Sequence, residues 1–270
     1  MYAVDFEYDG QYLSDYDFII CNFGNASDTD TISAGSKITF NTVSRNGGNK
    51  YSLIGTSYDE CIQTTFDICK NPELYDDIYI TNDEYRDIMR WLNRKEFLIF
   101  QIFDKGEEQD SCYYNASFNI SKILFNDRLY GLQLEMETDK PFGYGQEQKI
   151  SWHVNDTSKS KVICDMSDEI GYIYPSMKII VHRDGDLSIR NEQESCTMVI
   201  KNCIADEVIN IDGNTLIVSS SIKSHRIYDD FNFEFFRIGN TINNRNNKIS
   251  VSLPCDLEIR YSPIIKNTPD

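Results

Sequence analysis

The chain has 270 residues, of which 40% are hydrophobic and 13% aromatic, and its 43 acidic and 26 basic residues give a net charge of -17. This length favours two domains over one, and the composition predicts folded domains rather than disorder. The acidity excludes a protein that grips nucleic acid through a basic surface. The negative charge has two interpretations. It keeps the protein soluble through repulsion between copies, or it forms a surface that nucleic acid passes without binding.

The first eight residues, MYAVDFEY, alternate apolar with acidic side chains, which predicts a strand and not a secretory signal. No run approaches about 18 consecutive apolar residues, so we expect no membrane insertion. The eight cysteines include no C-x-x-C pair, so they predict thiols in a reducing compartment and not a zinc site. Synthesis in a cytoplasm is expected.

One segment of the N-terminal half has helical character. Thr81 and Glu84 have the spacing of a capping box, and apolar residues recur at helical intervals after them, which predicts a helix over Asn82–Asn93. The next segment, Phe97–Phe103 (FLIFQIF), is apolar at nearly every position and predicts a strand buried on both faces.

A division between two domains is predicted near residue 141. Residues 130–137 alternate as a strand, and Asp139–Gly145 (DKPFGYG) then brings one proline and two glycines. We therefore expect domains at residues 1–141 and 142–270. The first is predicted to be mainly β with one α-helix.

The C-terminal half has the pattern of antiparallel strands. Residues 248–253 and 256–261 alternate strictly, and Asp184-Gly185 and Asp212-Gly213 follow apolar runs, which predicts two hairpins. An antiparallel sandwich or jelly roll is the expected fold. Three aromatics at period two, Phe231, Phe233 and Phe235, favour a core position over stacking on sugar rings.

Residues that carry catalysis or bind cofactors show no recognisable pattern. The three histidines, His153, His182 and His225, lie in no motif, and no glycine-rich phosphate loop occurs. A possible calcium loop starting at Asp184 fails because Ile189 stands where glycine is needed and Ser195 where glutamate is needed. We predict no enzyme activity, no catalytic residues, no cofactor and no metal.

The order of several segments resembles the phage distal tail (Dit) proteins. The segments are Lys50–Tyr58 (KYSLIGTSY), Thr65–Asn71 (TFDICKN), Asn82–Lys95 (NDEYRDIMRWLNRK) with its Trp-Leu-x-Arg-Lys ending, and Tyr130–Tyr144 (YGLQLEMETDKPFGY). The resemblance covers most of the chain and is less specific in the C-terminal half. It implies a mainly β, two-domain fold, with an N-terminal β-barrel or sandwich-like domain and a C-terminal galectin-like β-sandwich (jelly roll).

The resemblance implies a structural virion protein. Such proteins form a ring, commonly a hexamer, at the distal end of a phage tail, where they join the tail tube to the tail-tip or tail-associated protein. Some carry receptor-binding proteins. DNA passes through without specific binding, which suits the charge of -17. The implied location is the virion, after synthesis in the cytoplasm of a bacterial host.

A ring needs a repeated heterologous interface, and the segment from residue 45 to residue 58 is our candidate for it. Asn-Gly-Gly-Asn at 46–49 separates two apolar strands and would reach a neighbouring copy. The predicted interface residues are Arg45, Asn46, Asn49, Lys50, Tyr51 and Tyr58. The alternative function is a carbohydrate-binding β-sandwich that recognises host-surface glycans, and a cell-wall hydrolase is a third, weaker reading.

Overall fold

A computed structural model of the chain describes residues 3–23, 37–44, 51–104, 112–156, 159–193 and 196–267. The chain divides into two compact units. The first contains Met1–Gly145 together with Ile265–Asp270, and the second contains Gln146–Ile264. No helix in the described ranges is long and apolar enough to cross a membrane.

The first unit is built on a large antiparallel sheet. Its elements are β1 (Ala3–Tyr8), β2 (Gln11–Tyr12), a 3-10 helix (Leu13–Tyr16), β3 (Phe18–Cys21), β4 (Ile38–Ser44), β5 (Tyr51–Tyr58), β6 (Gln63–Lys70), α1 (Asn82–Leu92), β7 (Leu98–Asp104), β8 (Cys112–Phe125), β9 (Arg128–Thr138) and β10 (Gly143–Gly145). The main strand order is β2-β1-β7-β8-β9-β6-β3, and β10 pairs with β8. Among the described strands, β2 and β3 end this order and do not pair with each other, so the sheet stays open and is not a closed barrel.

Helix α1 forms where the capping box predicts it. The Glu84 backbone N–H donates to Thr81 Oγ1, and the Thr81 backbone N–H donates to Glu84 Oε2 at 2.7 Å, so two otherwise unpaired donors are satisfied. The helix buries Ile88, Trp91 and Leu92. These side chains join the aromatic core of the sheet, in which the rings of Trp91 and Phe6 stack with centroids 5.6 Å apart.

The expectation for the strand at Phe97–Phe103 is wrong in one respect. Phe100 and Ile102 are buried in the core, but Ile99 is 56% exposed and Phe97, just before β7, is 47% exposed. In the part of the chain that the structure describes, α1 and the core cover one face of the sheet, so an apolar run here does not mean burial on both faces. The outward face of β7 is therefore an apolar surface.

The second unit is a sandwich of two main antiparallel sheets. Its elements are β11 (Gln148–Val154), β12 (Ser160–Cys164), β13 (Gly171–Ile173), β14 (Ser176–Val181), β15 (Gly185–Asn191), β16 (Thr197–Cys203), β17 (Val208–Asp212), β18 (Ile217–Ser220), α2 (Ile227–Asp230), β19 (Ile238–Asn240), β20 (Asn246–Val251) and β21 (Cys255–Tyr261). One sheet has the order β11-β21-β14-β17-β18, the other β12-β20-β15-β16, and β13 pairs with β19. A final strand, β22 (Ile264–Ile265), follows.

Both sheets of the second unit contribute to one core. Ile179, Ile209 and Leu257 come from the first sheet, and Ile189 and Ile249 come from the second. Alternate residues of each strand point inward, as the strict alternation in β20 and β21 predicts. The mainly β, two-domain, sandwich-type fold expected from the sequence is confirmed.

The two predicted hairpins have different outcomes. β17 and β18 pair across the turn that begins at Asp212-Gly213, so this hairpin is confirmed. The prediction of a hairpin at Asp184-Gly185 is wrong, because β14 and β15 belong to different sheets. Asp184 Oδ1 instead accepts a hydrogen bond of 2.7 Å from the Ala205 backbone N–H, which fixes a crossover between the sheets.

Candidate functional site

The candidate site is the hairpin formed by β4 and β5. Among the strands that the structure describes, these two pair only with each other and form a two-stranded sheet separate from the main sheet. Ile38 pairs with Tyr58 at the base, and Ser44 pairs with Tyr51 at the far end, with a bulge opposite Asn41 and Thr42. A two-stranded hairpin alone is at best marginally stable in water, so we expect a partner to cover it.

One face of this hairpin is apolar and exposed. The register and the alternation of side chains place Ile38, Phe40, Leu53, Tyr51 and Tyr58 on the same face. Phe40 is 63% exposed, Leu53 58% and Tyr51 74%. We call these five residues the apolar hairpin face. Several large apolar side chains exposed together are typical of a protein–protein contact.

The structure describes two of the six predicted interface residues. Tyr51 and Tyr58 lie on the apolar hairpin face, Tyr51 exposed and Tyr58 half-buried. The other four, Arg45, Asn46, Asn49 and Lys50, lie outside the described residues. The interface assignment itself stays a prediction.

Sequence reasoning missed the apolar residues that make this surface. Ile38 and Phe40 lie outside the predicted segment at residues 45–58, and Leu53 lies inside it but is not one of the six named residues, although the alternation in Ile38–Asn41 (ITFN) gives a strand signal. That signal does not tell whether the apolar face meets a core or a partner. Only the separation of β4 and β5 from the main sheet decides between these alternatives.

Two other exposed apolar surfaces occur on the first unit. The outward face of β7 carries Ile99, with Phe97 next to the strand, and the end of β8, just before its turn into β9, carries Leu124 and Phe125, which are 58% and 66% exposed. Two left-handed residues, Asn126 and Asp127, form that turn. A ring interface requires a second surface complementary to the first, and both surfaces are candidates for it.

One buried polar network in the second unit has the residue types of a catalytic site. Glu207 is fully buried, the imidazole Nδ1 of His225 lies 2.6 Å from its Oε1, and Nε2 lies 3.3 Å from Asp230 Oδ2. The hydroxyl of Ser220 donates to Glu207 and not to the imidazole. A nucleophile needs its base within hydrogen-bond reach, so we interpret this arrangement as a structural hydrogen-bond network.

Two buried cysteines of the second unit, Cys203 and Cys255, are also poorly suited to nucleophilic chemistry. Burial raises the pKa of Cys203 to about 11 and the pKa of Cys255 to about 12. Their thiolates are therefore scarce near neutral pH, and both side chains pack in the sandwich core.

The sequence matches two family models that together span nearly the whole chain. Residues 1–140 match a phage tail protein N-terminal domain, and residues 142–261 match a phage tail C-terminal domain. A relative from Bacillus subtilis strain 168, the SPbeta prophage-derived uncharacterized protein YomH, is 23% identical over 189 residues, which cover 69% of this chain and 71% of YomH.

Solved structures agree with the fold. The Dit protein of phage SPP1, described as a paradigm of the hub adsorption apparatus in Gram-positive infecting phages, superimposes with a TM-score of 0.63 at 11% identity, covering 97% of this chain and 99% of its own. A chain of the phage P2 baseplate in its activated conformation superimposes with a TM-score of 0.47 at 13% identity, covering 96% of this chain and 98% of its own. The chain shares the fold of a Dit protein, and, by the two models that span it, it belongs to a family of phage tail structural proteins.

Proposed function

We propose that this chain is a hub protein, which forms a ring at the distal end of a phage tail. The ring, a hexamer in this proposal, joins the tail tube on one side to the tail-tip or tail-associated protein on the other. The apolar hairpin face carries the proposal, because it presents Phe40, Leu53 and Tyr51 to solvent on two strands that pair with no other described strand. The role is mechanical and not enzymatic.

The hairpin suits a ring because ring closure needs two different complementary surfaces on each copy. The apolar hairpin face is one such surface. The outward face of β7, with Phe97 and Ile99, is our candidate for the other. In this arrangement each copy inserts its hairpin against the sheet of the next copy.

The two domains have different roles in this proposal. Residues 1–141 form the ring, and residues 142–270 form a galectin-like sandwich at the periphery that supports receptor-binding proteins. The net charge of -17 supports a ring through which DNA passes without binding, because carboxylates repel phosphates. Assembly places the chain in the tail of the virion.

Charge substitutions on the hairpin test the proposed contact. Phe40→Asp and Leu53→Asp each place a carboxylate on the apolar hairpin face, and Ser57→Asp places the same charge on the opposite face as a matched control. We expect light scattering to show a ring for the wild type and Ser57→Asp, and monomers for the other two. If all three variants keep the mass of the wild type, the hairpin is not the contact.

A second candidate function is glycan binding by the second unit. The sequence predicts that Phe231, Phe233 and Phe235 lie in a core. Phe231 and Phe235 do pack in the core of the second unit, but Phe233 is 63% exposed. Its ring stacks on that of Tyr228, which is 51% exposed, with centroids 6.5 Å apart and an angle of 22°. An exposed aromatic pair of this kind is a surface on which a sugar ring stacks.

A glycan screen with the full chain tests this second candidate. Binding to a host-surface polysaccharide that is lost in Tyr228→Ala would support it. The control is Tyr172→Ala, since Tyr172 is equally exposed on the same unit but lies under the Arg237 guanidinium, 4.0 Å from its ring centroid. Absence of binding, or equal loss in both variants, would leave the hub as the single proposal.

A further inference from the structure

Two of the three histidines of the chain meet on the solvent side of the second unit. His153 lies on β11 and pairs in register with Asp256 on β21, and Asp256 also pairs with Ile180 on β14. His182 follows the end of β14, and its backbone N–H donates to the Pro254 carbonyl at 3.0 Å. Three adjacent strand segments therefore bring His153, His182 and Asp256 to one place.

The side chains of this cluster converge on one carboxylate. His153 Nδ1 lies 2.6 Å from Asp256 Oδ1, and His182 Nε2 lies 3.0 Å from Asp256 Oδ2. The two imidazole rings are 5.3 Å apart between centroids. One nitrogen from each histidine and one carboxylate oxygen all lie within 4.8 Å of one another.

The donor types are those of a divalent metal-ion site. Zinc binds imidazole nitrogen and carboxylate oxygen at about 2.0–2.2 Å, so its tetrahedral donors lie about 3.3 Å apart. The three atoms here lie within 4.8 Å of one another, so binding an ion draws them closer together. Side-chain exposure of 64% for His153 and 31% for His182 leaves room for an ion to enter.

We propose that His153, His182 and Asp256 form a binding site for a divalent transition-metal ion of the zinc class. Water completes the coordination. Two imidazoles and one carboxylate select zinc, cobalt or nickel over calcium and magnesium, which take oxygen donors. The bound ion ties the ends of β11, β14 and β21 together, so it stabilises one edge of the sandwich.

The charged side chains near the site are paired with one another. The Arg183 guanidinium lies 3.8 Å from Asp156 Oδ1, and Lys159 Nζ lies 3.4 Å from the same oxygen, so the two cations share one carboxylate. Glu258, two residues along β21, is engaged by Lys149 and Arg260. Glu258 therefore serves as a matched carboxylate outside the site.

The test measures binding of zinc and cobalt to the full chain by titration calorimetry, with magnesium and calcium for comparison. We expect one tight site per chain for zinc and cobalt. His153→Ala, His182→Ala and Asp256→Asn should each weaken the affinity about tenfold or more, and Glu258→Gln should leave it unchanged. Equal affinity in the wild type and the two histidine variants would overturn the proposal.

The eight cysteines are competing ligands, so a readout specific for histidine is needed. Carbethoxylation of histidines by diethylpyrocarbonate, followed by peptide mass analysis, provides it. Zinc should protect both His153 and His182 from modification, while calcium should protect neither. Zinc binding without protection at these two positions would assign the ion to thiolates and contradict the site.

Discussion

The indole Nε1 of Trp91 donates a hydrogen bond of 2.8 Å to the backbone carbonyl of Tyr8. This bond joins helix α1 to the end of the first strand, 83 residues earlier in the chain. Both side chains are buried. The core of the first unit is therefore fixed at this point by a polar bond as well as by aromatic packing.

We expect Trp91→Phe to destabilise the first unit by about 1–3 kcal/mol, because it leaves the buried Tyr8 carbonyl without this donor. Urea unfolding followed by circular dichroism measures the loss. Trp152→Phe, which changes a half-buried indole on the second unit, is the control and should cost less. If Trp91→Phe left the urea midpoint of unfolding unchanged, the hydrogen bond would contribute nothing to stability.

A pH-dependent contribution is expected from Glu84. Burial raises the pKa of this carboxyl, but hydrogen bonds from Lys70 and Thr81 outweigh burial and hold the pKa below its ordinary value. Lys70 Nζ lies 2.8 Å from Glu84 Oε1, and Lys70 is itself buried. The pair ties α1 to strand β6.

A depressed pKa means that Glu84 stabilises the fold fully above its unfolded pKa of about 4.3, and that this contribution disappears as pH falls through the folded pKa. The stability difference between wild type and Glu84→Gln should therefore be largest near neutral pH and shrink on acidification. Asp87→Asn, in an exposed pair with Arg90, should have an effect near zero. A difference that grows toward acid pH would contradict this sign.

The buried network of the second unit should be sensitive to loss of its imidazole. His225→Ala removes the imidazole next to the fully buried Glu207 carboxyl and leaves only the bonds from Ser220 and the Ile204 backbone N–H, so we expect a loss of about 1–3 kcal/mol in unfolding free energy. His182→Ala, measured in the presence of a chelator, replaces an exposed histidine of the same unit and should cost far less. Comparable costs would mean that the network is not a stabilising element.

Gly213 should tolerate no side chain. A Cβ at this position would lie 2.1 Å from the Tyr174 carbonyl oxygen and 2.7 Å from the Pro175 carbonyl carbon, and backbone atoms cannot move aside cheaply. We expect Gly213→Ala to cost about 1–3 kcal/mol in thermal unfolding. The control is Gly55→Ala on β5, where a Cβ meets nothing within 4 Å. Equal stability of the two variants would contradict the close approach.

Local chemistry made part of the fold predictable from sequence. Thr81 and Glu84 determine the start of α1 through bonds between residues three apart, and the alternation in β20 and β21 reports their buried faces directly. The confirmed hairpin at Asp212-Gly213 is likewise a matter of adjacent residues. These features need no knowledge of the rest of the chain.

Long-range pairing made the rest unpredictable. The turn at Asp184-Gly185 has the composition of a hairpin, but whether its strands pair or enter different sheets depends on strands β17, β20 and β21, far along the chain. His153 and Asp256 meet across 103 residues, which no local pattern reveals. The exposure of the apolar hairpin face could not be predicted either, since its sequence alternates like that of a strand that packs on a core.

Assembly is the central claim, and the mass of the wild-type chain tests it most directly. Light scattering coupled to size exclusion, at several concentrations and two salt levels, should give six times the 31.3 kDa chain mass. Higher salt should favour the ring, because it screens repulsion between copies that each carry -17 charges. A monomer at every concentration and at both salt levels would contradict a self-assembling ring.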